Sequence, residues 1–227
     1  MNDRETLQIP VIVNQILSET LAAGFQMASE PLTGSLLRTL TASKPSGYFL
    51  EIGTGTGIGT AWLLDGMDNH SKLITVENDR LVAAIAQKHL GQDSRVSFCL
   101  EDAAILIKRL LEQQQRFDLI FADTWIGKYT HLEETLSLLK PGSFYVIDDM
   151  LPQANWMEGH ESNVNLLIEN LENRQDLILT GGNALVARAF LRQFSGSGNP
   201  SARLSRYSTL VLTKLNWASG IVIATKK

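Results

Sequence analysis

The feature that most constrains the fold is an alternation of short apolar segments with longer amphipathic ones, running from Tyr48 to Ile147. The apolar segments carry few polar residues, which is typical of strands buried on both faces, and the segments between them have helical periodicity. Strands separated by helices form a parallel sheet with helices on both sides, so we predict a doubly wound α/β fold. The predicted strands are Tyr48–Ile52, Lys72–Val76, Val96–Leu100, Phe117–Ala122 and Ser143–Ile147, and the intervening helices are Gly59–Gly66, Arg80–Leu90, Ala103–Gln113 and His131–Leu139.

The regions on either side of this alternation complete a single predicted domain. Amphipathic helices are predicted at Pro10–Gly24 and about Ser29–Leu40, within an N-terminal segment of residues 1–45. The core is expected over residues 46–180, with a last helix near Ser162–Asn173. A C-terminal antiparallel hairpin of Ser208–Thr213 with Gly220–Thr225, within residues 208–227, would close a mostly parallel seven-stranded sheet.

Residues 181–207 interrupt the pattern. They include a loop signal rich in glycine and serine, Ser195–Pro200, and they fall between two similar sequences, Leu177–Thr180 and Leu210–Thr213. Deleting residues 181–213 would leave a continuous strand–turn–strand, so we expect an insertion here. It is either a loop that covers the substrate or a tolerated surface excursion.

Composition restricts the class of protein. A chain of 227 residues with 44% hydrophobic content can bury one substantial core. A net charge of −4 argues against a broad nucleic-acid-binding face, although seven basic and no acidic residues after position 176 leave a nucleic-acid substrate as a weaker alternative. No apolar run approaches the roughly 20 residues of a membrane span, and the N-terminus lacks the order of a signal peptide, so we expect a soluble cytoplasmic protein with no membrane partner.

A glycine-rich run, Glu51-Ile52-Gly53-Thr54-Gly55-Thr56-Gly57-Ile58-Gly59, joins the first predicted strand to the next helix. Glycines let the backbone turn tightly and approach a ligand that a side chain would exclude. The dinucleotide fingerprint G-x-G-x-x-G would need glycine where Ile58 or Thr60 stands, which disfavours a dehydrogenase.

Acidic residues follow the later strands of the predicted sheet. Because the carboxyl ends of parallel strands share one edge, these acids should converge on the crevice where such sheets bind ligands. Glu77 is placed to accept both hydroxyls of a ribose, whereas Asp102 either accepts from an adenine amino group or caps the following helix. We expect one cavity to be surrounded by the side chains of Glu51, Glu77, Asp123, Asp148 and Asp149.

Three of these acids, Asp123, Asp148 and Asp149, would repel one another at the crevice edge. A hard divalent cation with oxygen ligands would relieve that repulsion and activate a substrate hydroxyl. Without a metal, Asp149 would cap its loop and Asp148 would bind backbone amides. The metal is the favoured interpretation of the pattern.

Residues from about Ser29 to Met150 resemble the class I S-adenosylmethionine-dependent methyltransferases, in which E-x-G-x-G-x-G binds the methionine part of the cofactor. The segment Asp123–Tyr129 is similar to the D-x-W-x-x-[RK]-Y of catechol O-methyltransferases and the D-A-D-K-x-N-Y of caffeoyl-CoA O-methyltransferases. The resemblance implies a Rossmann-like fold, S-adenosylmethionine as cofactor, a hydroxylated small molecule as methyl acceptor, and Mg²⁺ or another divalent cation on Asp123, Asp148 and Asp149. The cofactor-binding residues that it implies are Glu51, Gly53, Thr54, Gly55, Gly59, Glu77, Asp102, Ala103 and Asp123.

The chain departs from both groups at the expected general base. Their lysine, three residues after the first metal-binding aspartate, is replaced here by Ile126, which cannot carry a proton. Lys128 stands at the family's basic position and becomes the candidate catalytic residue beside Asp123, provided that the loop turns differently. His131 and His160 are weaker candidates for the base.

Two further expectations follow from the aromatic residues and from the family. Trp125 and Trp156 are placed to stack on a planar acceptor or to pack as a lid. A homodimer formed through helices outside the sheet is expected by resemblance. The loss of the family lysine leaves a second hypothesis open, a cofactor-binding protein without catalysis.

Overall fold

The sheet determines where every functional side chain lies. The computed structural model describes residues 7–153, 156, 159–172, 174, 177–180 and 219–226. The strands are β1 (Tyr48–Ile52), β2 (Lys72–Glu77), β3 (Val96–Leu100), β4 (Phe117–Ala122), β5 (Leu139–Ile147), β6 (Leu177–Thr180) and β7 (Val222–Lys226). The helices are α1 (Val11–Ala22), α2 (Pro31–Ala42), α3 (Ile58–Gly66), α4 (Arg80–Leu90), α5 (Ala103–Glu112), α6 (Trp125–Lys128), α7 (Leu132–Ser137) and α8 (His160–Glu172).

Over the described residues the sheet has seven strands in the order β3-β2-β1-β4-β5-β7-β6. Strands β1 to β5 pair in parallel, and β7 is antiparallel to β5 on one side and to β6 on the other. The chain order reverses between β1 and β4, where an open α/β sheet forms its ligand crevice. The predicted α/β class, with its antiparallel C-terminal hairpin, is confirmed.

Two apolar cores cover the two faces of the sheet. Neighbouring residues of β1 point to opposite faces, so Phe49 enters one core and Leu50 the other. Helices α1 to α4 cover the first face, with Trp62 fully buried, and helices α5, α7 and α8 cover the second. Burial of each such large side chain contributes roughly 1.5–3 kcal/mol. The α2–α3 contact is especially close, since a Cβ on Gly34 would lie 2.2 Å from the Trp62 ring.

The helices and strands agree with the sequence analysis to within a few residues, apart from the short helix α6, which was not predicted, and a difference at β5. That strand begins at Leu139, and the preceding helix ends at Ser137, so the predicted helix is shorter and the strand longer than expected. The pairing of β4 with β5 shifts register between Phe117 and Leu119, opposite a proline and a glycine with φ of +76°, Gly142. Because this bulge interrupts the regular pattern of the strand, the sequence pattern did not predict the first half of β5.

The C-terminal strand β7 lies where the second strand of the hairpin was predicted. Its antiparallel neighbours are β5 and β6, as removal of residues 181–213 from the sequence would suggest. The expected insertion at residues 181–207 and the predicted strand Ser208–Thr213 lie outside the described residues. In the described part of the chain, no helix has the length and apolarity needed to cross a bilayer.

Candidate cofactor and acceptor site

A cavity of about 640 Å³ opens at the carboxyl ends of β1, β2, β4 and β5. The glycine loop after β1 and the end of β2 form one end, which we call the cofactor end. The loop after β4, the acids after β5 and the start of α8 form the other, which we call the acceptor end. Residues 25–30, between α1 and α2, also line the cavity.

The glycine loop is drawn tightly against the neighbouring strands. The backbone N–H groups of Gly53 and Thr54 donate to Val76 O at 3.1 and 3.0 Å. Gly53 has a φ of +103°, and a Cβ there would lie 2.9 Å from Asp123 O. Glycine is therefore required at this position by conformation and by space. The predicted contacts that do line the cavity are Gly53, Thr54, Gly55, Gly59, Glu77, Ala103 and Asp123.

The carboxylate of Glu77 is fixed in direction by backbone groups. Its Oε2 accepts from Gly55 N at 2.9 Å, and its Oε1 accepts from Asn78 N and Asp79 N at 2.9 and 3.1 Å. It lines the cavity at the end of β2, where the sequence analysis placed the acceptor for a ribose.

Glu51 lies beneath the cavity and is not among its lining residues, which corrects the expectation that its side chain surrounds the cavity with the other acids. The side chain is fully buried, and its Oε2 accepts from the hydroxyls of Thr60 and Thr75 at 2.5 and 2.7 Å. Burial raises the pKa of Glu51 to about 8. Its Oε1 has no hydrogen-bond partner among the described residues and would lie 2.6 Å from a Cβ on Gly59, so only glycine leaves room for the carboxyl group.

Asp102 caps α5, which is one of the two roles that its position allowed. Its Oδ1 accepts from Ala104 N at 2.7 Å. Among the described residues, its neighbours Glu101 and Ala103 line the cavity and Asp102 does not. The helix cap therefore accounts for this aspartate, and the adenine contact has no support in the geometry.

At the acceptor end, each of the three predicted metal-binding acids lines the cavity and has its own protein partner. Asp123 Oδ2 accepts from Ser29 Oγ at 3.1 Å, and Asp149 Oδ1 accepts from Gln153 Nε2 at 2.6 Å. Asp148 Oδ1 accepts from the hydroxyl of Ser219 and from Asp149 N. Burial, followed by the charge of a neighbouring aspartate, raises the pKa of Asp123 well above its usual range and that of Asp148 to about 6.

Lys128 projects into the middle of these acids. Its side chain is 3% exposed, and its Nζ lies 3.9 Å from Asp123 Oδ1 and 3.8 Å from Asp149 Oδ2. The same Nζ donates to the backbone oxygen of Asp148 at 2.9 Å. The altered turn that this placement requires is present, since Ile126 has a ψ of 130° and Gly127 a φ of +93°.

As they stand, these residues do not fit a divalent cation. In the described part of the chain, no three or more histidine, cysteine, aspartate or glutamate side chains are grouped closely enough to hold a metal ion. An ammonium within 4 Å of two of the carboxylates would also repel a second cation. The expected cation on Asp123, Asp148 and Asp149 therefore has no support in this arrangement.

An aromatic wall closes the acceptor end. Trp156 stacks on His160 with ring centroids 4.1 Å apart and planes inclined by 7°, and Trp125 contacts the Tyr129 and His160 rings edge-on. The hydroxyl of Tyr129 lies 2.9 Å from His160 Nε2. Burial raises the pKa of Tyr129 and lowers that of His160, which keeps both groups neutral near pH 7.

Sequence reasoning missed several members of this end. Tyr129 belongs to the quoted motif, yet its bond to His160 spans 31 positions. Ser29, Gln153 and Ser219 carry no motif, and the bonds of Ser29 and Ser219 join residues 94 and 71 positions apart. A local pattern contains no signal for such contacts.

Comparison with known proteins agrees with the fold. Residues 50–150 match the model of a methyltransferase domain. A catechol O-methyltransferase from Niastella koreensis is 32% identical over 126 residues, which are 53% of this chain and 57% of that protein. The chain thus matches little more than half the length of this relative.

Solved structures resemble nearly the whole chain. An O-methyltransferase from Bacillus cereus in complex with S-adenosylhomocysteine superposes with a TM-score of 0.72 at 17% identity, over 98% of this chain and 93% of that one. The O-methyltransferase TomG from Streptomyces achromogenes, in complex with S-adenosylmethionine, gives 0.70 at 18% identity, over 98% and 92%.

The parallel sheet with an antiparallel β7, and a crevice where the strand order reverses, give this chain the same Rossmann-like fold as those two structures. The similarity to the methyltransferase domain family covers residues 50–150, less than half of the chain.

Proposed function

We propose that this protein is an S-adenosylmethionine-dependent O-methyltransferase acting on a hydroxylated, planar small molecule. The observation that carries the proposal is a single cavity that joins the glycine loop and Glu77 at one end to Lys128, Asp123 and an aromatic wall at the other. The names of the matched relative and of the superposed structures support the same chemistry.

The cofactor end fits a ligand with a ribose and a charged amino acid. Glu77 presents a fixed carboxylate to hydroxyls, and the loop of Gly53 and Gly55 admits close backbone contact. Glu51, behind Gly59, supports this loop from beneath and does not line the cavity. When bound, the cofactor supplies a methyl group on a positively charged sulfur.

The acceptor end fits a planar ring that carries a hydroxyl. Trp125, which is 38% exposed, and Trp156 offer aromatic faces on which such a ring can stack. In the reaction, the O–H bond of the acceptor breaks and an O–CH₃ bond forms, while the methyl–sulfur bond breaks and its electron pair remains on sulfur. Holding the acceptor oxygen in line with the methyl group accounts for much of the rate enhancement in such transfers.

The hydroxyl proton needs an acceptor, and the chain offers a relay. Neutral His160, hydrogen-bonded through Nε2 to Tyr129, can take the tyrosine proton while the tyrosine oxygen takes the proton of the acceptor. This assigns the base to His160, which the sequence analysis ranked below Lys128. Lys128 keeps a place next to the reacting oxygen, because it lines the cavity beside Asp123.

The decisive experiment is a methyl-transfer assay with radiolabelled S-adenosylmethionine and a panel of phenols, catechols and hydroxycinnamates, with and without Mg²⁺. We expect a labelled methyl ether and an equal amount of S-adenosylhomocysteine. Calorimetric binding of S-adenosylhomocysteine without turnover of any acceptor would favour the non-catalytic alternative. Retention on RNA that is abolished by salt would instead favour a nucleic-acid substrate.

Assembly and location are part of the same proposal. We also propose a homodimer formed through helices outside the sheet, with the exposed Val11 of α1 as the side chain to test. Light scattering of the purified protein tests this, because Val11→Glu should reduce the measured mass to that of one chain. A cytoplasmic location remains the expectation from the sequence.

A further inference from the structure

The positive charge at the acceptor end belongs to a lysine of the chain itself, and the role inferred for it rests on the proposed function. The site holds three carboxyl groups, from Asp123, Asp148 and Asp149, around the ammonium of Lys128. The Lys128 side chain is 3% exposed, and a charge this deeply buried persists only when it is paired or hydrogen-bonded. The ammonium therefore already meets the need for a cation that the sequence pattern assigned to a metal.

The loop holds Lys128 in this position by specific contacts. Gly127 adopts a left-handed conformation, its carbonyl accepts from the Tyr145 hydroxyl, and its N–H donates to Thr130 O at 2.7 Å. The resulting turn leaves Ile126 at the position of the family lysine and sends Lys128 inward. These hydrogen bonds fix the backbone next to Lys128, so the position of its ammonium is determined by the fold.

The ammonium of Lys128 still has protons that it can donate to a ligand. Lys128 Nζ has three protons, one of which goes to Asp148 O, while the two nearest carboxylate oxygens lie 3.8 and 3.9 Å away. These distances are longer than a hydrogen bond. An acceptor oxygen entering the cavity would meet a proton of this ammonium.

We propose that the Lys128 ammonium takes the place of a divalent cation in stabilising the acceptor oxygen, so that methyl transfer needs no added metal. The ammonium donates a hydrogen bond to the oxygen as the hydroxyl proton leaves, and it stays protonated throughout. The hydroxyl proton goes to the Tyr129–His160 relay, and the bonds that form and break in the methyl transfer are the same as described above.

A substrate preference follows from the same geometry. A metal ion with open coordination positions favours two adjacent oxygens, whereas the role proposed for the ammonium needs only one acceptor oxygen. Phenols with one hydroxyl should therefore be methylated about as well as catechols.

The first test uses the protein as it is. Activity is measured after exhaustive treatment with a chelator and its removal, and again across a Mg²⁺ titration, with a monohydroxylated phenol and a catechol. We expect equal rates with and without the ion for both acceptors. Loss of activity on chelation that Mg²⁺ restores would overturn the proposal. Absence of turnover under every condition, with S-adenosylhomocysteine still bound, would instead refute the proposed function itself.

The second test changes the lysine. Lys128→Met should lower kcat by about 100-fold or more, the usual effect of removing one group that stabilises a developing charge. Binding of S-adenosylhomocysteine, measured by calorimetry, should be unchanged and shows that the variant is folded. Lys140→Met is the matched control. Lys140 Nζ lies 2.7 Å from Asp118 Oδ2, neither residue lines the cavity, and the variant should keep wild-type activity. Wild-type kcat in Lys128→Met would contradict the assignment.

A third variant tests whether a metal ion can replace the ammonium. Lys128→Ala removes the ammonium, but the remaining carboxyl groups are not grouped closely enough in the described residues to hold a metal ion, so millimolar Mg²⁺ should not restore its activity. Recovery of the wild-type rate in Lys128→Ala with Mg²⁺ would contradict the premise that these acids do not hold a cation.

Discussion

The two ends of the cavity are built in different ways. The cofactor end comes from one continuous loop and the strand next to it, with Gly53, Gly55 and Glu77 fixed by backbone hydrogen bonds. The acceptor end is assembled from distant segments, since Ser29 reaches Asp123 and Ser219 reaches Asp148. A local motif can therefore specify the cofactor, whereas the acceptor depends on long-range packing.

The proton relay should give the largest effect, and it belongs to the acceptor end alone. His160→Gln and Tyr129→Phe should each lower kcat by about 100-fold, the lower range for general acid–base catalysis. Cofactor affinity should not change, because neither residue is at the cofactor end. Steady-state kinetics with calorimetric binding of S-adenosylhomocysteine measures both quantities.

The pH profile provides the matching check. Burial lowers the pKa of His160 below 6.5, so the ring is neutral at pH 7 and becomes protonated only at more acidic pH. Activity should therefore fall as the pH drops through that lowered pKa, and the acidic limb should vanish in His160→Gln. An unchanged acidic limb in the variant would remove His160 from the relay.

Gly53→Val should have the next largest effect, at the cofactor end. The added side chain meets a positive φ and the nearby Asp123 O, and strain of roughly 1–3 kcal/mol lowers cofactor affinity by about 10- to 100-fold. Gly142→Val is the control, since its φ is also positive but nothing lies within 4 Å of its Cβ position. Both variants should lose stability in thermal unfolding, and only Gly53→Val should lose affinity.

A smaller effect is expected from Glu77→Gln, which replaces a charged acceptor at the cofactor end. Loss of a charged hydrogen bond to a ribose should weaken S-adenosylhomocysteine binding by about 10-fold. Asp102→Asn, which preserves the α5 cap, should bind normally. If both variants bound S-adenosylhomocysteine equally weakly, the result would support a contact between Asp102 and the adenine, which the geometry disfavours.

A separate effect, on stability and not on activity, is expected beneath the cofactor end. The pKa of Glu51 rises from 4.5 to about 8 in the folded protein, so the folded state holds a proton that the unfolded state releases between these values. Its contribution to the free energy of unfolding is present below pH 4.5 and declines toward pH 8, by at most about 1.4 kcal/mol per pH unit. Denaturant titrations should show this decline flattened in Glu51→Gln and unchanged in Glu134→Gln, a control at an exposed glutamate.

The sequence was sufficient for most of the fold and for the cofactor end. Buried parallel strands have continuous apolar sequences, and a run of glycines indicates a tight turn. Both features can therefore be recognised from the local sequence. The first half of β5 was missed because a register shift breaks its pattern. The packing of Glu51 beneath the loop was also missed, because an acid that faces the core looks like any other acid in the sequence.

At the acceptor end the sequence identified the residues but not their arrangement. The three acids and the lysine do line one cavity, yet nothing local showed that Gly127 would turn Lys128 toward Asp123 and Asp149. The partners of these acids come from segments far along the chain. Their positions depend on tertiary packing, which periodicity does not report.

The pairing of β6 with β7 has a consequence for the acceptor end. Thr180 lies opposite Ile223 in antiparallel register, so the chain leaves and re-enters the sheet at the same place. Ser219, just before the re-entry, donates a hydrogen bond to Asp148, so a slip in the register of β7 would displace one of the acids that line the cavity.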